Sequence, residues 1–272
     1  MDHHGDAGDL GSNMHYSLTA FNTATASTNK IHDDAVAQKL GFRGGLVPGV
    51  DVYAYLCHLP AERWGRAWLE RGTITARFEA PVYDGDAIVI TATPTEDDAL
   101  ELTLSDSSGA RCAIGRAVLP EEPSSVPSLD AWPPASPPTE PPAASAETLT
   151  GAPFGSIEAT FVADRAAEYL DDIREALPLF QEDRLAHPGW LLRFANYVLT
   201  ANVRMGPWIH VESRATFLSS VGDGDRVETR ALVVGVRERG GHRFVDLDVL
   251  QVVGDRPVSR TAHTAIYQPR GT

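Results

Sequence analysis

The chain has 272 residues, of which 43% are hydrophobic and 22% are charged, and its formal net charge is −14. This composition is typical of a folded globular protein, and the acidic balance, without a stripe of Lys and Arg, argues against nucleic-acid binding. No apolar run is long enough for a membrane helix. The length favours two domains or one duplicated unit.

Residues 1–14, MDHHGDAGDLGSNM, are polar and lack the basic start and apolar stretch of a secretory signal. We interpret them as a disordered tail, an expression remnant, or an over-extended start ahead of Met14. The chain has two cysteines, Cys57 and Cys112, which is too few for a disulfide framework or a thiolate metal site. The small number of cysteines favours the reducing cytoplasm as the compartment.

The segment TNKIHDDAVAQKLGFRGGLVPGV, residues 28–50, places an Asn, a His, two Asp and a glycine-rich turn before an apolar run. A helix over about 49–59 is predicted, because apolar residues follow Pro48-Gly49 at helical spacing. The first N–H groups of a helix have no partner within it, and Pro-Gly leaves them open to a ligand.

Strands with alternating apolar residues follow this helix, and Asp-Gly-Asp and Ser-Ser-Gly-Ala turns separate them. They are predicted over 72–80, 86–94, 99–106 and 110–118. Residues 120–153 then hold ten of the 19 prolines and few residues that could form a core. We expect an extended, semi-rigid linker there, between an N-terminal unit, 15–119, and a C-terminal unit, 154–272.

The second unit repeats the first. Asp84-Gly85-Asp86 aligns with Asp223-Gly224-Asp225 at an offset of 139 residues, and Pro48-Gly49 aligns with Pro188-Gly189 at an offset of 140. Two matches at nearly one offset indicate a duplication. The second unit is predicted to contain a helix over 189–204 and strands over 211–220, 225–237, 241–253 and 257–267. One helix wrapped by an antiparallel sheet is therefore the repeating unit of a predicted α+β fold.

This duplicated arrangement, with an Asn-x-x-His loop in one half, resembles the double hotdog fold of MaoC-like (R)-specific enoyl-CoA hydratases and dehydratases. The motif of that family runs Asp-x-Asn-Pro-x-His, then Ala, Gly-Phe and a Pro-Gly or His-Gly at the start of the central helix. This chain has Ser27-Thr28-Asn29-Lys30-Ile31-His32, followed by Ala37, Gly41-Phe42 and Pro48-Gly49. The chain departs from the motif at two positions, since Ser27 stands at the catalytic Asp and Lys30 at the Pro.

The resemblance implies a role for each matching residue. His32 is the acid/base for water addition or loss at an acyl thioester, Asn29 positions the water or the His, and the Gly49 amide holds the thioester oxygen. Pro48 and Val50 flank that amide, and we expect Gly45 in the preceding turn to contribute to substrate binding as well. Arg43 is expected to contact a pyrophosphate or carboxylate, with a solvated surface arginine as the alternative.

The loss of the carboxylate at position 27 leaves three possibilities open. His32 acts alone and Ser27 orders water; or Asp33, Asp34 or Asp51, the last in the first helical turn, replaces the carboxylate; or the pocket binds an acyl thioester without hydrating it. The non-catalytic interpretation of His32 is a loop histidine that caps a short helix, with Asp33 and Asp34 as charges at the helix start.

In the second unit, His187 precedes the helix, but no Asn-x-x-His motif accompanies it. We interpret His187 as structural, with a wall of the acyl pocket as the other option. Trp190, Phe194 and Tyr197 recur at helical spacing and are expected to pack into the core.

The leading functional hypothesis is hydration or dehydration of a CoA-bound or carrier-bound acyl thioester, without a cofactor or a metal. The alternatives are a hotdog thioesterase that uses Asp51 and a non-catalytic acyl-thioester-binding subunit. We expect no nucleic-acid or membrane partner, and either a homodimer or a hetero-oligomer with another hotdog subunit.

Overall fold

The structure, a computed structural model, describes residues 12–151 and 153–271. Most of the segment interpreted as a tail, residues 1–11, lies outside the described residues. The helices are α1 Asp34–Lys39, α2 Gly49–Arg71, α3 Ala146–Thr150, α4 Ala163–Asp172, α5 Pro178–Gln181 and α6 Pro188–Asn202. The strands are β1 Met14–Thr19, β2 Thr73–Phe78, β3 Ala87–Pro94, β4 Ala99–Asp106, β5 Arg111–Val118, β6 Ile157–Thr160, β7 Ile209–Phe217, β8 Arg226–Arg239, β9 His242–Val253 and β10 Arg256–Gln268.

The described strands form one ten-stranded sheet in the order β1-β3-β4-β5-β2-β7-β10-β9-β8-β6. From the centre outward, the two halves have the same arrangement: β2-β5-β4-β3-β1 in the first half and β7-β10-β9-β8-β6 in the second. The halves join where β2 pairs antiparallel with β7, from Thr73 opposite Thr216 to Arg77 opposite Glu212. This pairing places the start of β7 next to the end of β2, so residues of the second half reach the N-terminal unit.

The hydrogen bonds confirm that the two halves repeat one design. The N–H of Gly85 donates to the carbonyl of Ala20 at 2.9 Å, and the N–H of Gly224 donates to that of Phe161 at 2.8 Å. Both glycines have positive φ, 79° and 86°, in the left-handed region that favours glycine. The Asp-Gly-Asp turns that revealed the repeat therefore anchor β1 and β6, two edge strands that the sequence pattern does not predict.

The two central helices, α2 and α6, lie on one face of the sheet, and the main hydrophobic core lies between the helices and the strands. Tyr53, Leu56 and Leu59 of α2 are fully buried there, and burying each side chain stabilises the fold by about 1.5–3 kcal/mol. Helix α2 continues past the predicted end at about residue 59, because Trp68 and Leu69 are also buried. Gly65, with φ 56° and ψ −143°, interrupts the helix before these residues.

The proline-rich segment between the halves crosses the opposite face of the second half of the sheet. Trp132 is 4% exposed, packs against Leu250 and Val252, and donates its indole N–H to the carbonyl of Asp248 at 3.1 Å. Leu149 of α3 is fully buried in the main core. Trp132 and Leu149 therefore anchor the proline-rich segment to the folded halves, although its composition predicts few core residues. In the described part of the chain, no helix combines the length and apolarity needed to cross a bilayer.

Candidate functional site

Asn29 links the first loop to the second half of the protein. Its side-chain oxygen accepts the N–H of Trp208 at 3.1 Å, and its amide nitrogen donates to the carbonyl of Trp208 at 3.0 Å. The same oxygen caps the short 3-10 turn Lys30–His32 through the N–H of Ile31. Asn29 is 7% exposed. Because Trp208 both donates to its side-chain oxygen and accepts from its side-chain nitrogen, the amide is held in one orientation.

The ring of His32 is oriented by a backbone carbonyl. Nδ1 lies 2.7 Å from the carbonyl oxygen of Leu46, which can only accept, so Nδ1 carries the proton in the neutral ring. Nε2 then holds the lone pair, 3.4 Å from the side-chain nitrogen of Asn29. This arrangement leaves a base, rather than a donor, at the Nε2 edge of the ring.

Burial lowers the pKa of His32 below its ordinary value of 6.5, although the Leu46 carbonyl and the charge of Asp51 act in the opposite direction. The ring is therefore neutral at the pH of most cells. A neutral imidazole, in which Nε2 carries a lone pair instead of a proton, is the form needed to remove a proton from water.

Gly45 fixes the backbone that carries His32. A Cβ at residue 45 would lie 2.1 Å from the carbonyl oxygen of His32, which is closer than any real contact. The N–H of Gly45 donates to Asp34 Oδ1 at 2.7 Å. Gly45 therefore packs against the backbone of His32, and it does not line the apolar cavity that contains the His32 side chain.

The start of α2 supplies an open N–H group. Gly49 is the first helical residue, and its N–H makes no hydrogen bond within the described part of the chain. Pro48 has no N–H group to donate. Because the N-terminus of a helix carries partial positive charge, this amide is suited to hold a developing negative charge on oxygen.

His32 and Gly49 share one cavity of about 230 Å³. Its walls come from both halves of the chain: Asn29, Ile31, His32, Phe42, Leu46, Val47, Pro48, Gly49, Val52 and residues 78–82 from the first, and Asn196, residues 208–211 and Ile266 from the second. Most of these side chains are apolar, as expected of a pocket for an acyl group.

Asn196, Trp208 and His210 also belong to this cavity, and no sequence motif predicted them. Trp208 and His210 reach it because β7 pairs with β2 across the centre of the sheet, whereas Asn196 comes from α6, which packs against α2; no local pattern reports either contact. The duplication is the one sequence feature that indicates such a contact, because it suggests that the strands of the two repeats join in one sheet. Asn196 Oδ1 is buried and has no hydrogen-bond partner in the described residues, which leaves it available to a ligand or water.

Asp51 does not line the cavity. Its carboxylate is fully buried and accepts hydrogen bonds from Thr23 Oγ1 at 2.6 Å and from Arg193 of α6 at 2.9 Å. The guanidinium of Arg193 also lies 3.9 Å from the ring centroid of Tyr169. Asp51 is therefore engaged in an ion pair between the two central helices.

The other candidate replacements for the missing carboxylate are also engaged. Asp33 Oδ1 accepts the N–H of Val36 at 3.1 Å and caps α1. Asp34 Oδ1 is held by Gly45. In the described residues, no carboxylate hydrogen-bonds to the ring of His32. Ser27 Oγ accepts the N–H of Asn29 at 3.1 Å; with Val50 it borders an outer pocket, which Asn29 and His32 also line, rather than the cavity itself.

Arg43 lies outside the cavity, on the exposed side of the loop. Its guanidinium pairs with Asp86 and lies 4.2 Å from the ring centroid of Tyr83. The side chain is 65% exposed and borders a groove that Asp33, Asp34 and Asp84 also line. An acidic groove repels a phosphate, so the geometry offers little support for the expected pyrophosphate contact.

The equivalent helix start in the second half is closed. His187 Nδ1 accepts the N–H of Gly189 at 3.0 Å, which uses the amide that is open at Gly49. A Cβ at residue 189 would lie 2.4 Å from the hydroxyl of Tyr169, and Phe180 stacks edge-on against His187. His187 is 1% exposed and lies away from the cavity. One half thus keeps an open helix start and the other fills it with side chains.

The prediction that all three aromatic residues of α6 pack into the core is wrong for Tyr197. Tyr197 is 50% exposed, while Trp190 and Phe194 are partly buried and form an edge-to-face row with it. Helical spacing places the three residues on one side of the helix, but that side is only partly covered by the sheet.

The fold is similar to those of several solved structures. The chain aligns over 96% of its length with 96% of a protein from Chloroflexus aurantiacus named as a MaoC-domain dehydratase, with a TM-score of 0.61 and 13% identity. A conserved hypothetical protein from Mycobacterium tuberculosis, described as having a double hotdog fold, aligns with a TM-score of 0.60 and 14% identity, over 95% of this chain and 97% of its own. A protein from Novosphingobium aromaticivorans named as a thioesterase aligns with a TM-score of 0.54 and 13% identity, over 94% and 96%.

No model of a known protein family matches the sequence, and no curated protein sequence matches it. At 12–14% identity, the structural likeness shows the fold alone. It confirms the predicted α+β architecture of two tandem hotdog units. The chain has the double hotdog fold, and its structural relatives include MaoC-like dehydratases.

Proposed function

We propose that the protein is a hydratase/dehydratase that adds water to a 2-enoyl thioester, or removes it from a 3-hydroxyacyl thioester, carried by CoA or a carrier protein. The observation that carries this proposal is the pairing of two groups in one cavity. His32 presents a neutral ring whose Nε2 lone pair accepts a long contact, 3.4 Å, from the Asn29 amide nitrogen, and Gly49 presents an unused N–H at a helix start. The first group removes a proton from water, and the second stabilises negative charge on the thioester oxygen.

Hydration then proceeds without a carboxylate. Nε2 of His32 takes a proton from water as the water oxygen bonds to C3 of the enoyl group, and the electrons move to the thioester oxygen. The Gly49 N–H holds this enolate, and the protonated His32 returns the proton to C2. One water is consumed, one C–O and one C–H bond form, and the thioester stays intact. Dehydration is the reverse of these steps.

A backbone carbonyl and a fixed side chain help His32 to act without a carboxylate. The Leu46 carbonyl accepts from Nδ1 and stabilises the imidazolium that forms in the first step. One N–H of the Asn29 amide donates to the Trp208 carbonyl, and the other points at Nε2, where a water that enters between the two side chains can accept it. In this proposal Ser27 takes no part in proton transfer and supports the loop through the N–H of Asn29.

The cavity adjoins the outer pocket that Ser27 borders. The cavity measures about 230 Å³ and the outer pocket about 350 Å³, and His32 and Asn29 line both. Crotonyl-CoA, a short enoyl thioester, is the first substrate to test, and a series of longer enoyl thioesters measures how much of this space the acyl group uses.

The test is the rate of crotonyl-CoA hydration, followed by loss of the enone absorbance. Replacing His32→Gln removes the base and should lower kcat by about 10²- to 10⁴-fold, the usual contribution of general acid–base catalysis. His15→Gln, at an exposed position on edge strand β1, is the matched control and should leave kcat unchanged. Equal rates for the parent and His32→Gln would contradict the proposal. Binding without turnover would instead support a non-catalytic acyl-binding subunit.

The structure favours hydration over thioester hydrolysis. A thioesterase that uses Asp51 needs this carboxylate at the cavity, but Arg193 and Thr23 occupy both of its oxygens. Release of free CoA that is lost in Asp51→Asn and kept in His32→Gln would nevertheless establish the thioesterase.

We also propose the cytoplasm as the compartment, since Cys57 and Cys112 are both free and buried. The oligomeric state is proposed to be a homodimer or an assembly with another hotdog subunit. Sedimentation of the purified chain, alone and mixed with candidate hotdog subunits, distinguishes these states from a monomer.

A further inference from the structure

A chain of three polar side chains lies buried in the second half, at the wall of the cavity. His210 Nε2 is 2.8 Å from Ser213 Oγ, which is 3.0 Å from His263 Nδ1. The three residues are 7%, 0% and 1% exposed. Within the described residues, His210 Nδ1 and His263 Nε2 have no hydrogen-bond partner. Buried polar atoms are rarely left unpaired without a reason, so this chain requires an explanation.

A β-bulge turns His210 toward the cavity. In the pairing with β10, Glu212 lies opposite Thr264 and His210 opposite Ala265, so Val211 is an extra residue on β7. Without the bulge, strict alternation from the buried Ser213 would point His210 to the other face. Such bulges often re-aim a side chain beside an active site. Here the bulge brings two polar side chains to one buried face.

The unpaired edge of His210 faces the open helix start. A Cβ at residue 49 would lie 2.9 Å from His210 Nδ1, and both residues line the cavity. Only glycine at this position leaves Nδ1 uncovered. The open N–H of Gly49 and the Nδ1 edge of His210 are therefore adjacent polar groups in an otherwise apolar wall.

The hydrogen bonds allow two arrangements of the protons. Either the Ser213 hydroxyl donates to His210 Nε2 and accepts from His263 Nδ1–H, or it donates to His263 and accepts from His210. The second arrangement places an N–H on His263 Nε2, where the described residues offer it no acceptor. The first places the N–H on His210 Nδ1, at the cavity. Because an unsatisfied buried N–H costs about 1–3 kcal/mol, an acceptor in the cavity shifts the balance toward the first arrangement.

We propose that His210 donates its Nδ1–H to the thioester carbonyl oxygen of the bound substrate, as a second donor beside the Gly49 amide. Ser213 and His263 are positioning residues that select the Nδ1-protonated form of His210. This inference rests on the proposed function, since it assigns a further group to the same site.

His210 acts as a neutral donor in this role. Burial lowers the pKa of His210 well below its ordinary value, and His263 acts in the same direction, while the Glu212 backbone opposes them. A neutral imidazole N–H can polarise a carbonyl without giving up its proton. His210 thus stabilises the enolate, and His32 keeps the proton transfers. Ser213 is fully buried and does not line the cavity, so it is not a nucleophile.

The protonation of His210 can be observed directly. In the protein labelled with nitrogen-15 at histidine, a spectrum of long-range proton–nitrogen couplings, recorded with saturating butyryl-CoA, distinguishes the two ring nitrogens. The His210→Asn variant assigns the signal. We expect Nδ1 to carry the proton and Nε2 to be bare. A proton on Nε2 alone would overturn the proposal.

The contact with the carbonyl is tested with butyryl-CoA labelled with carbon-13 at the carbonyl, because this saturated thioester cannot be hydrated. Infrared difference spectra should show a lower carbonyl frequency when it is bound than in water. His210→Phe should remove part of this shift, and His210→Asn, whose amide nitrogen replaces Nδ1, should retain it. His15→Phe is the surface control. Equal shifts in the parent and His210→Phe, or no bound butyryl-CoA, would overturn the proposal.

Kinetics separate this inference from the proposed function. His210→Phe should lower kcat for crotonyl-CoA by on the order of 10²-fold with little change in KM, the effect of removing one donor to an oxyanion. Normal turnover in His210→Phe with loss in His32→Gln would overturn the inference alone. A carbonyl shift that depends on His210, without hydration by the parent, would overturn the proposed function alone.

Discussion

Replacing Asp51 with Asn tests whether this carboxylate stabilises the fold or takes part in the chemistry. Its oxygens accept from Thr23 and Arg193, and the Asp51 side chain has no exposed surface. Burial alone would lower the pKa of Arg193, yet the Asp51 carboxylate holds this pKa above its ordinary value. Because Asp51 lies in α2 and Arg193 in α6, the pair joins the two central helices.

The expected magnitude follows from the geometry. Two opposite unit charges ~4 Å apart attract by about 4 kcal/mol at an effective dielectric constant of about 20. The Arg193 side chain is 20% exposed, so water recovers part of this energy when its partner becomes neutral. Asp51→Asn should therefore lower the free energy of unfolding by about 3 kcal/mol, at the lower end for a broken buried pair.

Urea unfolding, followed by tryptophan fluorescence, measures this change. Arg193→Met is the matched partner variant, and the double variant should be less destabilised than the sum of the single variants, with a coupling of about 2 kcal/mol. Hydration by the folded Asp51→Asn variant should stay close to that of the parent, since Asp51 does not line the cavity. A variant as stable as the parent that has lost its activity would refute this reasoning.

Three further predictions concern glycine packing and histidine charge. Gly45→Ala places a Cβ 2.1 Å from the His32 carbonyl oxygen and should lower both kcat and the thermal unfolding temperature, whereas Gly44→Ala, whose Cβ meets a side-chain oxygen at 3.0 Å, should be milder. Because burial lowers the pKa of His32, kcat/KM should reach half its maximum at a pH below 6.5, the ordinary value for histidine; a half-maximum above pH 6.5 would contradict the assigned base. Burial lowers the pKa of His263 to about 3, so its contribution to stability is complete above its unfolded pKa and is lost as pH falls, by about 2 kcal/mol at about pH 5; His263→Phe should flatten that decline in urea unfolding.

Much of the fold was predictable because its signals are local. The Asp-Gly-Asp turns and the alternating strands lie within short windows, and β4 has the predicted bounds, 99–106. The edge strands β1 and β6 were missed. Their residues alternate only between half-buried and exposed, so the apolar pattern is weak, and β6 spans four residues.

The candidate site was predictable in its first half only. Asn29, His32 and Gly49 follow one another along the chain, and the family motif links them. Trp208 and His210 enter through the pairing of β2 with β7, and the bulge at Val211 reverses the alternation that would predict their direction. Local patterns carry neither the pairing partner nor the extra residue.

The ion pair between Asp51 and Arg193 could not be predicted from the sequence. A carboxylate in the first turn of a helix is a reasonable candidate base, and the chain order says nothing of Arg193, which lies 142 residues away. The ion pair depends on how α2 and α6 pack against each other, which follows from the sheet and not from either helix.

The central claim is that His32 adds water to an enoyl thioester that stays intact. Incubating crotonyl-CoA with the protein in water labelled with oxygen-18, followed by mass spectrometry, tests it directly. The account predicts 3-hydroxybutyryl-CoA with the label on the 3-hydroxyl group, formed by the parent and not by His32→Gln. Free CoA with the label in the released carboxylate, or unchanged crotonyl-CoA, would contradict it.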